Sequence, residues 1–403
     1  MHYPAPQQLP MSALISASLF SIGIGLASTA PYDAIVAIDT LGISHADFAL
    51  VLTVASVAGL VATVFLGWLS DRIGDRRILV VLTALAGACG FGLVYLMRNP
   101  AGFAIAYCLI LPFGNAAFSQ TFAYARVYYD GQGSKDAEFR ITALRSVYAA
   151  SWVLVPPLAG WMAVTSGVFD IYLVAAAAYL GCAAISLVLL RRPDARIAPP
   201  APTPREPGTS PIATPMLVGI VGVVLINVAI RLSGTVTPLA MIGSFGGSMG
   251  DVGIASGIRA LLEIPLMLLW GLAGRRFRKP TLIAAGALTF AAYMGLMTQA
   301  RSVTDVYWLQ VPCSIAIAAL LSVPISYMQE AIRGRVGLST SLLDVTFVVS
   351  GIVAAGLFGL LAAPGRYLDL FWVAGGLATL GAMVLLLAHN VIERPAVLRN
   401  QTE

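Results

Sequence analysis

The chain has 403 residues, of which 58% are hydrophobic and 11% charged. A soluble domain carries about 25% charged residues, so an exterior wetted all over is excluded, in line with the mean hydropathy of +0.85. The net charge of +5 marks no nucleic-acid surface, because the basic residues sit at the ends of apolar segments and nowhere form a stripe.

A membrane-spanning helix needs roughly 20 mostly apolar residues. The first such stretch, 12–37, follows a segment (1–10) without Lys or Arg. Lacking the basic n-region of a secretion leader, it is expected to persist as a helix. Helices two to six are predicted over 46–69, 78–97, 101–125, 138–164 and 168–190. The break over 191–211 contains Pro193, Pro199, Pro200, Pro202, Pro204, Pro207 and Pro211. Proline at that density prevents regular helix and favours an extended, solvated linker. Helices seven to twelve follow over 213–239, 250–273, 280–298, 304–330, 336–362 and 368–390. The expected organisation is an all-α membrane protein of twelve transmembrane helices. Two six-helix halves, 1–192 and 213–403, flank a Pro-rich cytoplasmic linker over 193–212. Cys89, Cys108, Cys182 and Cys313 lie in apolar runs without metal-ligand spacing and read as small buried side chains.

Basic residues set the orientation. If both termini are cytoplasmic, the inside loops hold Arg72, Arg76, Arg77, Arg126, Lys135, Arg140, Arg191, Arg192, Arg196 and Arg205. Arg275, Arg276, Arg278, Lys279, Arg333, Arg335, Arg394 and Arg399 join them, against Arg98, Arg301 and Arg366 outside. That bias places both termini in the cytoplasm. The halves also echo each other: Gly67 and Gly271, and Arg126 and Glu330, are separated by the same interval. Parallel six-helix repeats are the architecture of the major facilitator halves.

The strongest local signal is Gly67-Trp-Leu-Ser-Asp71-Arg72-Ile-Gly74-Asp75-Arg76-Arg77. It resembles the loop motif between helices two and three of major facilitators, with Gly, Asp, Gly and the basic end in register. Gly67 is expected to permit close helix packing. Asp71 is expected to face the positive N-terminus of helix eleven, around Gly337 to Thr340, as a latch on the cytoplasmic side. The matching segment Gly271-Leu-Ala-Gly-Arg275-Arg276 has no Asp, so the latch is expected on one side only. In helix five, Pro157 and Gly160 fit the Pro-x-x-Gly core of an antiporter motif, with Pro156 where that motif has glycine.

Phe122-Ala-Tyr-Ala-Arg126-Val-Tyr-Tyr-Asp130, Arg145, Trp152, Pro156-Pro157, Leu262-Glu263-Ile264-Pro265 and Gly334-Arg335 resemble the bacterial sugar efflux transporter family. The similarity runs through both halves. The resemblance implies a multi-pass protein of the bacterial inner membrane that exports small sugars or glycosides in exchange for protons. A monomer with no cofactor is expected.

Independently, Arg145, Arg231, Arg259, Glu263 and Asp344 fall inside apolar helices. A charge at the helix centre costs about 2.5–3.5 kcal/mol on insertion scales, so each should face the bundle interior. Arg259 and Glu263 stand four apart on one face of helix eight and can pair locally. Arg145 on helix five and Glu263 on helix eight lie at similar depth, which predicts a switchable bridge across the cavity, with Glu263 taking the proton. The alternative is a permanent Arg259–Glu263 pair. Asp344 is a second proton-coupling candidate, or a hydrogen-bonding partner of Ser341. Asp33 and Asp39 read as wetted rim charges, and no partner can be named for Arg231.

A sugar needs polar side chains and an aromatic face. Arg145, Tyr148 and Trp152 make one stripe on helix five, and Asn115, Phe118, Ser119 and Phe122 another on helix four. Gln120, Asn227 and Arg259 complete the substrate-binding set. The latch set is Gly67, Asp71, Arg72, Gly74, Arg77 and Arg126. Ordinary packing, or helix-to-helix hydrogen bonding for Asn115, Gln120 and Asn227, is the competing account. No phosphate-binding loop, His-Glu-x-x-His or nucleophile–base pair is readable, so an ATP-driven pump, a metal site and an enzyme are not expected. Efflux of drugs or anionic metabolites stays open, as does a membrane sensor that does not transport.

Overall fold

The structure, a computed structural model, describes residues 10–131, 136–196, 214–331 and 336–400. The side chains of 71, 214–215, 330–331, 336–341, 343 and 391–400 lie outside that description. Twelve helices are long and apolar enough to cross a membrane, and no strand occurs among the described residues. Helices one to six are Met11–Thr29, His45–Ile73, Arg76–Met97, Pro100–Gly131, Ala137–Thr165 and Asp170–Arg191. Helices seven to twelve are Thr214–Gly243, Met249–Ala273, Lys279–Met297, Val303–Ala331, Val336–Leu361 and Tyr367–Asn400. The chain is a multi-pass membrane protein. Its outward surface is apolar, with Leu360 83% and Leu96 77% exposed, as lipid contact requires. Cys182 and Cys313 are buried as expected, whereas Cys89 is exposed.

Two prolines shape the first half. The predicted helix over 12–37 stops at Thr29, turns through Pro31, and resumes as Asp33–Ile35, which widens into a π-helical turn over Val36–Thr40. Helix four carries a second π-turn, Ala106–Ile110, just before Pro112. Proline has no N–H to return along the helix, so the first helix ends before Pro31, and the wide turn of helix four spans the carbonyl that Pro112 leaves unpaired. Helix five, by contrast, stays helical through Pro156 and Pro157.

The packing follows one rule. Helix one lies against five and six, three against four and six, and two against four. The same pattern recurs six helices later: seven against eleven and twelve, nine against ten and twelve, eight against ten. Between the halves, five meets eight and two meets eleven. This is the twofold arrangement of six-helix halves expected from the repeat.

The loop between helices two and three is fastened to helix six. Gly74, at φ +70, ends helix two, a position only glycine adopts without strain. Asp75 caps helix three and pairs with Arg77 at 2.7 Å. Arg77 Nη1 donates to the carbonyls of Leu189 and Arg192 at 3.0 and 3.1 Å. Hydrogen bonds from Arg77 hold the Asp75 carboxyl below its ordinary range. A depressed folded-state pKa contributes stability above the ordinary carboxylate range, lost as pH falls through the depressed value. Asp75→Ala is therefore expected to cost about 1–2 kcal/mol at neutral pH. In detergent unfolding its deficit against the parent should narrow once the pH drops below the carboxylate range.

Candidate functional site

The two halves touch at the end opposite the start of helix one and the end of helix twelve. A Cβ on Gly253 would stand 2.3 Å from the Pro156 carbonyl oxygen, and one on Gly160 would stand 2.6 Å from the Met249 carbonyl oxygen. Gly257 packs on Pro157, and on the other flank Gly359 packs on Ala49. Tyr32 Oη donates to the Pro156 carbonyl at 2.7 Å, tying helix one into this seal. At the terminal end the halves part: a Cβ on Gly67 or Gly271 would meet nothing within 4 Å. The close packing expected of Gly67 is absent in this conformation.

Between the halves lies a cavity of about 490 Å³ walled by helices five, seven, eight, nine and ten. Tyr148, Trp152, Phe290 and Tyr293 give aromatic faces, while Ser233, Thr237, Gln310, Arg259 and Glu263 give polar groups. Trp152, Thr237, Arg259 and Gln310 also line a smaller chamber of about 280 Å³ towards the sealed end. Arg259 Nε and Glu263 Oε1 stand 3.4 Å apart, with side chains 36% and 16% exposed. Glu263 Oε1 has no hydrogen-bond partner in addition, so the pair is loose. Ser314 Oγ donates to the Arg259 carbonyl at 3.1 Å and braces helix eight against ten.

A third chamber, of about 380 Å³, lies on the flank of helices two, four, seven and eleven. Asn115, Ser119, Tyr107, Arg231 and Asp344 line it. Arg231 lies over the Phe347 ring at 5.7 Å, which gives it the neighbour the sequence did not.

Of the expected site residues, the structure brings Tyr148, Trp152, Arg259 and Glu263 to one cavity, and Asn115 and Asp344 to the other flank. Arg145 is exposed at the open end and does not pair with Glu263. The register explains why. Gly257 faces Val153 and Pro157, and Gly253 faces Pro156. Continued, this antiparallel register sets Glu263 level with Val147, half a turn from Arg145, but here helices five and eight have parted. Asn227 lines none of these chambers, and its Nδ2 donates to the Val223 carbonyl of its own helix at 3.0 Å. Gln120 lines none of these chambers, and its Oε1 is buried without a partner.

Of the latch residues, Arg72 lies over the Trp68 ring at 4.2 Å. Arg126 makes an exposed contact with Asp130 at 3.8 Å. The side chains of Asp71 and 337–340 lie outside the described residues, as do Lys135, Arg205, Arg333, Arg335 and the linker from 197.

Gln310 and Tyr293 were missed by sequence reasoning. A glutamine in the middle of an apolar span was the available signal for Gln310. Asp33 was misread. It is partly buried within the first half, where the hydroxyls of Tyr107 and Tyr172 donate to it, the latter at 3.3 Å.

Comparison with known proteins gives the same answer from outside. The family model described as Major Facilitator Superfamily matches residues 11–230. Sugar efflux transporter A of Dickeya chrysanthemi is 30% identical, over 78% of this chain and 79% of its own length. Sugar efflux transporter C of Escherichia coli is 26% identical, over 84% of this chain and 86% of its own. A crystal structure of the peptide transporter POT in complex with alafosfalin superposes with a TM-score of 0.79 at 12% identity. That match covers 96% of this chain and 97% of the other, and at such identity it speaks to fold alone. The chain belongs to the Major Facilitator Superfamily and, within it, to the family of the sugar efflux transporters.

Proposed function

We propose that this protein exports small sugars or glycosides across the bacterial inner membrane in exchange for protons. The observation that carries the reading is the cavity between the halves, where aromatic faces and hydrogen-bonding groups meet beside one loose ion pair. Its volume of about 490 Å³ falls in the range of small-molecule sites. Trp152 and Tyr148 offer a surface for the C–H face of a sugar, and Thr237 and Arg259 offer partners for its hydroxyls. The names of the relatives supply the substrate class.

With both termini cytoplasmic, the orientation the basic loops support, the conformation is open to the cytoplasm and sealed outside. The halves 1–192 and 213–403 rock as units about the crossings of helices five with eight and two with eleven. Closing the cytoplasmic end brings Arg145 towards Glu263, and the Asp71 region towards helix eleven. Glu263 then exchanges Arg259 for Arg145 or for a proton, which couples proton entry to rocking. Asp344 serves the opposite flank.

The test uses purified protein in liposomes with an imposed pH gradient and a panel of labelled sugars. Gradient-driven accumulation is expected for at least one sugar. Glu263→Gln is expected to lower it at least tenfold while leaving sugar exchange at equal pH intact. No flux of any sugar by folded protein would refute the substrate class, and full coupling in Glu263→Gln would refute the role of Glu263. A second reading, export of an anionic metabolite, is favoured by Arg231, which lines its chamber without a carboxylate in ion-pair range among the described residues. Inhibition of flux by anions and not by neutral sugars would select it.

A further inference from the structure

Among the described residues, Asp33 is the one carboxylate held by two phenol hydroxyls. It sits inside the first six-helix half, where its partners are two phenol hydroxyls: Tyr107 from helix four and Tyr172 from helix six. Among the described residues, no Lys, Arg or His stands within ion-pair distance of it. An ionised carboxylate so placed must be stabilised by hydroxyl donors alone, and burial favours its neutral form.

The surrounding groups are all otherwise engaged. On its own segment, Tyr32 donates to Pro156 and Asp39 is exposed. From helix two, His45 Nε2 is 3.0 Å from the Tyr367 hydroxyl, and Asp47 bonds Ser44 at the helix cap. From helix seven, Arg231 lies over Phe347. From the end of helix three, Arg98 lies over Tyr95 and Phe169.

Two further observations point to use rather than packing. The backbone is irregular on both sides of the contact: Asp33 leads into the π-turn Val36–Thr40, and Tyr107 belongs to the π-turn Ala106–Ile110. Wide turns of this kind collect at functional positions. Tyr107 is also a wall of the chamber holding Asn115, Arg231 and Asp344, so one of the two phenols joins the carboxylate to the space between the halves.

From this arrangement we infer that Asp33 is a proton-carrying site of the exporter, reached through Tyr107 from the chamber on the flank of helices two, four, seven and eleven. The inference deepens the proton-exchange reading and rests on it. In the ionised state both phenols donate to the carboxylate. When a proton from chamber water reaches Asp33, the new O–H donates to a phenol oxygen, and that phenol turns its own proton to water. No bond other than O–H forms or breaks, and the proton's charge is cancelled on the carboxylate. The neighbour Tyr32 is part of the seal between helices one, five and eight, so the charge on Asp33 is set beside the contact that must part when the protein turns outward.

The experiment is infrared difference spectroscopy of the reconstituted protein across a pH series, with transport measured on the same liposomes. The parent is expected to show a carboxylic C=O band that titrates with pH, and Asp33→Asn is expected to lose it. Asp33→Asn should keep sugar exchange at equal pH within about twofold and lose gradient-driven accumulation. Tyr172→Phe retains the acid but removes one donor to its charged form. The midpoint of the band should then rise by about half a unit to one unit, a readout that does not need Asp33→Asn to fold. Spectra identical in parent and Asp33→Asn, or an unmoved midpoint in Tyr172→Phe, would overturn the inference. Absence of sugar flux in the parent, with the Asp33 band present, would count against the sugar reading and leave this site standing.

Discussion

Gly253→Ala is expected to lower export at least tenfold without unfolding the protein. The added methyl would stand 2.3 Å from the Pro156 carbonyl oxygen and 2.5 Å from the Tyr32 hydroxyl. The carbonyl belongs to a helix backbone and cannot step aside as a side-chain end can. Overpacking at a tight contact costs about 1–3 kcal/mol, and 1.4 kcal/mol is a factor of ten in an equilibrium. The cost falls only on the conformation in which helices five and eight close, so the population shifts towards the arrangement with that end open. An engineered cysteine on the sealed side of Trp152 should become about ten times more reactive to a membrane-impermeant thiol reagent applied from outside. Gly376→Ala is the control, because it is exposed on helix twelve, away from the other half, and nothing lies within 4 Å of its Cβ position; it should leave labelling and transport unchanged. Equal labelling of Gly253→Ala and parent would mean that the Gly253–Pro156 contact does not close this end.

Arg259→Met should be the most damaging single change in the cavity, and Glu263→Gln should rescue it. Removing one partner of a buried ion pair costs about 3–5 kcal/mol, because the remaining charge is stranded. Arg259 is 36% exposed to the cavity, so water moderates the loss to about 1–3 kcal/mol. In Arg259→Met, Glu263 keeps its burial and loses the cation 3.4 Å away. The double variant carries no charge at either position and should regain most of the lost stability, giving a clear coupling in a double-mutant cycle. Denaturation midpoints of the four proteins in one detergent measure it. A double variant as unstable as Arg259→Met would show that Arg259 acts by packing rather than by charge. Transport should not recover with stability, since a neutral pair cannot answer the pH gradient.

The helices were legible in the sequence because lipid imposes a length and a composition on each of them. The Arg259–Glu263 contact was legible too, since a four-residue spacing on a helix is a distance. The broken first helix was written in Pro31 but hidden by the apolar residues on either side of it. Asn227 and Gln120 show where such reading stops. A polar side chain in a bilayer must find a partner, and nothing in the linear order says whether that is a ligand, a neighbouring helix or its own backbone. Arg145 and Glu263 depend on which conformation is populated, which no spacing encodes. Asp33 needed three helices at once: its tyrosines are 74 and 139 residues away.

The paired prolines of helix five have a consequence for how selectivity can change. Pro156 and Pro157 offer no N–H to the carbonyls of Trp152 and Val153, four residues earlier. The Val153 oxygen is set against Gly257 in the contact with helix eight, which leaves the Trp152 oxygen as a main-chain acceptor on the residue whose indole walls the cavity. Substitution at Trp152 can alter size and shape there but cannot delete that acceptor. Variants with new preferences should therefore arise through the aromatic rings and the opposing helices, while an appetite for hydroxyl groups persists along this wall.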